Sequence, residues 1–73
     1  MEHSTTELVA LLQYLVKHNE DHAAEILDLA DSARKLDKED AYDHLLRGVE
    51  LLKDSNTSLR AALATLEGQD VSG

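Results

Sequence analysis

Two of the four histidines in this 73-residue chain fall in one short run, His18-Asn19-Glu20-Asp21-His22. Imidazoles four residues apart project from one face of an α-helix, close enough to bind a single metal ion together. Two ligands leave a coordination sphere open. Glu25, three residues after His22, and Glu50 and Asp54 in the second half of the chain are the carboxylates expected to add oxygen ligands. A two-fold dimer would also bring a second histidine pair to the same layer. Imidazole with carboxylate suits zinc, nickel or iron. The competing expectation is structural: Asn19 and Asn56 form a polar layer that sets helix register, as a buried asparagine does at an a position of a coiled coil. His44 is expected at the surface and His3 ahead of the first helix.

These side chains need helices to place them, and the composition supplies little else. There is no proline, phenylalanine, tryptophan or cysteine, only three glycines, and 42% of the residues are hydrophobic. That excludes a disulfide scaffold and a thiolate metal site, and it is too apolar for a disordered acidic chain. Fifteen acidic against seven basic side chains leave a net charge of −8, which repels nucleic acid and anionic membranes. The N-terminus lacks a basic, cleavable leader, and no apolar run approaches the ~18 residues of a membrane span. A soluble, cytoplasmic protein is expected.

Periodicity divides the chain into two helices. From Leu8 the apolar positions run Leu12, Leu15, Asn19, His22, Ile26, Leu29, Ala33, Leu36, an unbroken four-three alternation. From Tyr42 they run Leu45, Val49, Leu52, Asn56, Leu59, Leu63, Leu66. Each is a heptad seam. Because Leu15 and Ile26 stay in phase across it, the histidine run is expected to be helical, with Asn19 and His22 facing inward and His18 at the edge of the seam. Ser4-Thr5-Thr6-Glu7 is a capping box, the chain turns near Leu36 to Lys38, and Gly68 is expected to end the second helix. The low helix propensity of Asp54-Ser55-Asn56-Thr57 leaves room for a kink.

A fold at residue 37 or 38 sets Asn19 opposite Asn56. Each helix then spans roughly 30 residues, or about 45 Å. The apolar stripe is wider than one partner helix can cover. Val9, Leu11, Val16 and Leu46 flank the seam, with small Ala23, Ala30, Ala41, Gly48 and Ala62. Tyr14, Leu27 and Leu51 fall on outer positions, where they hint at a further contact surface.

The run "LLQYLVKHNEDHAAEILDLADSARKLDKEDAYDHLLRGVELLKDSNTSLRAAL" resembles a family of short, uncharacterised helical domains built around an HNxxH motif. Such domains stand alone or are appended to small nickel-binding proteins of the CooT type. The resemblance covers residues 8 to 66 and is carried by His18, Asn19, His22, the apolar seam and Asn56. It implies a tie to metal handling. Since the chain has no cysteine, nickel binding does not carry over from the fusion partner.

The expected protein is therefore all-α and a single domain, residues 1–73, with frayed tails at 1–4 and 69–73. It is a long antiparallel hairpin, helices about 5–35 and 38–67, that dimerises into a four-helix bundle. No glycine-rich phosphate loop, nucleophilic triad or Glu-x-x-His pair supports catalysis. The expected function is metal or cofactor binding through the HNEDH segment. The alternative is a non-catalytic adaptor, in which HNEDH and Asn56 form a polar layer and the acidic faces meet a protein partner.

Overall fold

A computed structural model describes the backbone of residues 3–72 and the side chains of residues 3–68. Two helices, α1 (Thr5–Lys35) and α2 (Glu39–Ser72), make up the structure. They pack along each other as a hairpin 55 Å long and 19 by 18 Å across. No described helix is long and apolar enough to cross a membrane.

The start of α1 is fixed locally. The Ser4 amide donates to Glu7 Oε1 at 3.2 Å and the Glu7 amide donates to Ser4 Oγ at 3.1 Å, so the box satisfies two amides that a helix start leaves free. The Ser4 amide, and after it the Ser4 side chain, hold the Glu7 carboxyl below its ordinary range. At the other end Asp37 adopts φ 59°, while the Lys38 amide donates to the Ala33 carbonyl and the Asp37 amide to the Arg34 carbonyl. This is a Schellman turn with aspartate where glycine is usual. The three-residue reversal forces the helices antiparallel, as the spacing of Leu36 to Lys38 predicts.

Two expectations about α2 change. Its helix runs through Asp54 to Thr57 without interruption, although the Thr57 hydroxyl donates back to the Lys53 carbonyl at 3.1 Å, a bond that tends to bend a helix. It also continues past Gly68 to Ser72. Glycine ends a helix by turning left-handed, and no described glycine has positive φ. Met1, Glu2 and Gly73 of the expected tails lie outside the described residues, as do the side chains from Gln69 onward.

The seam of α2 is the expected one: Tyr42, Leu45, Val49, Leu52, Asn56, Leu59, Leu63 and Leu66 are all buried or half-buried. On α1 only Leu12, Asn19, Ile26 and Ala33 face α2 as expected. Their companions are Val9, Val16, Ala23 and Ala30, not Leu8, Leu15, His22 and Leu29. Helix α1 is thus turned by about half of one residue's angular step, ~50°, with the shared positions kept in the seam. Ala30, at 1% exposure, and Ala23 are its most buried residues. Small side chains there let the two backbones approach, and leucines in their place would hold the helices apart. The rotation leaves Leu8, Leu11, Leu15 and Leu29 between 37% and 57% exposed.

Candidate metal-binding site

The same rotation carries His22 out of the seam, and its side chain is 48% exposed. His18 stands one turn before it on the same exposed face. The expectation that His22 faces the core is corrected: Ala23 takes that place, and the histidines occupy the outer stripe with Leu11, Leu15 and Leu29.

On that stripe the two rings converge. His18 Nε2 and His22 Nε2 lie 2.9 Å apart, with the ring planes at 82°. A carboxylate oxygen of Glu25 lies 3.4 Å from His22 Nδ1. Which ring donates depends on the tautomers: a proton on His22 Nδ1, toward Glu25, makes His22 Nε2 the acceptor and His18 Nε2–H the donor. Tyr14, one turn earlier, stacks on His18 with centroids 5.5 Å apart and planes 15° from parallel. A ladder of Tyr14, His18, His22 and Glu25 results, each holding the next in orientation.

Two nitrogens at 2.0 to 2.1 Å from a tetrahedral zinc stand roughly 3.3 Å apart, so to share an ion the two rings would have to break their hydrogen bond and turn until both Nε2 lone pairs aim at one point. In that tautomer the His18 proton must move from Nε2 to Nδ1. Glu25 stands beside His22 Nδ1, on the far side of the ring from Nε2, where a carboxylate commonly stands behind a histidine ligand. Glu50 is exposed and pairs with Arg47 at 3.9 Å, and Asp54 is exposed on α2. Among the described residues no three histidine or acidic side chains gather around one point, so neither Glu50 nor Asp54 completes a sphere within the hairpin. His44 is exposed, as expected, and His3 lies 3.7 Å from Glu7.

The asparagine layer lies on the adjoining, inward face of α1. Asn19 Nδ2 donates to Asn56 Oδ1 at 2.9 Å, and Asn56 Nδ2 donates to the Val16 carbonyl at 3.0 Å. The register read from the seams is met, with Asn56 only 4% exposed. Beside it Arg60 reaches across to Glu20 at 2.6 Å, a link that heptad counting does not find because both residues lie outside the seam. Tyr14 was equally legible as part of the ladder, since its spacing to His18 repeats that of His18 to His22. Lys17 hydrogen-bonds Asp21 at 2.8 Å and thereby holds the Asp21 carboxyl below its ordinary range.

Removing one asparagine leaves the other short of a partner, whereas removing both need not. Asn19→Leu alone is expected to destabilise by about 1 to 3 kcal/mol, because the buried Asn56 oxygen loses its donor. The Asn19→Leu, Asn56→Leu double variant is expected to match or exceed the parent's melting temperature while losing a unique oligomeric state. Thermal melts with sedimentation velocity check both, and a double variant that fails to fold would contradict the assignment of this layer to register.

No curated protein and no solved structure matches the chain. Residues 8–66 match the model of DUF8180, a domain of unknown function, and the chain belongs to that family.

Proposed function

We propose that the protein is a small, non-catalytic metal-binding helical module, with His18 and His22 as its ligands and Glu25 orienting His22. The observation that carries this is the convergence of the two Nε2 atoms to 2.9 Å on an exposed helix face, with a carboxylate behind one ring. Nothing in packing requires it. The rings lie outside the buried seam, where water could serve each one separately.

The ligands are imidazole nitrogens, which suit zinc, nickel and iron(II). As part of the same proposal, two hairpins pair through their exposed leucines into a four-helix bundle, and the protein works in the cytoplasm. The adaptor alternative draws on the asparagine layer, which sets register without any ion. Since the layer turns inward and the histidines stand on the adjoining exposed face of α1, a structural role for the asparagines does not compete with a metal role for the histidines.

The test is calorimetric titration of protein purified without a histidine tag, using zinc, nickel and iron(II) in turn. Saturable binding of at least one ion is expected, accompanied by a shift of the His18 ring nitrogens in ¹⁵N spectra as its proton moves to Nδ1. No binding by any of the three at millimolar concentration would refute the proposal.

A further inference from the structure

The two imidazoles provide half of a four-coordinate sphere, and they stand in the middle of a face that the hairpin does not cover. We infer that a second copy of this chain packs on that face about a two-fold axis at the His18/His22 layer, so that two copies share one ion through four imidazole nitrogens. This rests on the metal-binding proposal above.

Ligand number is the first reason. No third histidine or acidic group joins the pair among the described residues, and Glu25 is placed at Nδ1, away from the ion. A two-fold operation supplies the missing pair without any new residue type, because each surface patch then meets its own copy.

Area is the second. The molecule exposes 5542 Å², against ~4,500 Å² expected for a compact monomer of this mass. The excess, on the order of 1,000 Å², compares with the ~800 Å² that each partner buries in a standard stable interface. The face is apolar on both sides of the histidines, with Leu8, Leu11 and Leu15 before them and Leu29 after them. Among the described residues of the hairpin only Ala23, Ala30 and Val49 are buried apolar residues, so a large share of the apolar surface still lacks a partner.

Shape and charge agree. Lys53, Thr57 and Arg60 line one groove of the hairpin with Glu20, Ala24 and Leu27. Helical periodicity puts Gly48, Ser55 and Ala62 on the opposite side of α2, beside the histidine face. A Cβ at Gly48 would meet nothing within 4 Å. A glycine inside a helix destabilises it relative to alanine, and no contact in the hairpin calls for one there. It leaves room for a neighbouring helix. A chain of net charge −8 repels its copy over most of its surface. Along the stripe from Leu8 through Leu11, Leu15, His18, His22, Glu25 and Leu29, Glu25 is the sole ionised carboxylate, and a divalent cation at the axis offsets the two copies of it.

The experiment is native mass spectrometry with sedimentation equilibrium on the tag-free full chain, with zinc or nickel added. A dimer carrying one ion per two chains is expected. Leu15→Glu, on the exposed face, should keep the helical spectrum yet give monomers that bind the ion at least tenfold more weakly. Gly48→Leu should do the same without touching α1. One ion on a monomer, unaffected by either variant, would overturn the shared site and leave the His18/His22 metal site standing. Failure to bind any ion, as monomer or dimer, would overturn both. A chain that stays monomeric with metal bound would leave the leucine face to a different protein and would likewise overturn the shared site.

Discussion

Asn56→Asp is expected to destabilise the hairpin by about 3 to 5 kcal/mol at pH 7, the range for leaving a buried charge without its partner. That is a large fraction of the ~5 to 15 kcal/mol that holds a folded domain. The change is nearly isosteric, so packing is not at issue. The new carboxylate keeps an acceptor for Asn19 Nδ2 but puts an oxygen where Asn56 Nδ2 now donates to the Val16 carbonyl at 3.0 Å. Two acceptors would face each other with no proton between them, at a position 4% exposed. Burial and the facing carbonyl raise the folded-state pKa of such an aspartate above its unfolded value of about 3.9. More protons are then bound folded than unfolded, so stability is greatest below pH ~3.9 and falls as pH rises toward the folded pKa. Melts followed by circular dichroism should therefore show a deficit relative to the parent at pH 7 that shrinks at pH 4. A variant within two degrees of the parent at pH 7 would mean that the Asn56 amide is not confined as described.

His22→Ala or His18→Ala should each weaken zinc or nickel binding by on the order of 100-fold, because the chelating pair becomes a single imidazole and the effective concentration of the second ligand is lost. Thermal stability in the absence of metal should change by less than about 0.5 kcal/mol, since both side chains are exposed and carry no core packing. Glu25→Gln should fall between the parent and the histidine variants, with a loss of about 10 to 100-fold, as is usual when the group behind a ligating histidine is removed. Glu50→Ala and Asp54→Ala should leave affinity unchanged. Calorimetric titration of the five variants decides the ligand set. Strong loss in the Glu50 or Asp54 variant with none in Glu25→Gln would transfer the carboxylate role to α2 and contradict the placement of Glu25 at Nδ1.

Most of the hairpin is legible along the chain because the forces that set it act over a few residues or repeat with the helix. Ser4 and Glu7 cap α1 through bonds three residues apart, and Asp37 reverses the chain through amides within one turn. The seam of α2 follows its heptads throughout. The pairing of Asn19 with Asn56 follows from where the turn falls, because two rods of equal rise joined at one point have only one register. Helix boundaries were less legible: Gly68 is compatible with both a stop and a continuation, and only its backbone angles distinguish them.

Rotation of α1 about its own axis was decided by tertiary packing alone. Leu12, Asn19, Ile26 and Ala33 belong to two overlapping apolar stripes, one completed by Leu8, Leu15, His22 and Leu29 and the other by Val9, Val16, Ala23 and Ala30. Hydrophobic periodicity weighs the bulkier stripe more heavily, and heptad counting selects it. Shape acts in the other direction, because Ala23 and Ala30 let α2 come close, and close approach gains dispersion contacts along the interface. The choice moves His22 from a presumed core to an open face, and with it converts the histidine run from a packing layer into a pair of rings aimed at each other. A single chain's periodicity cannot contain that choice, since it depends on the surface of the helix that α1 meets.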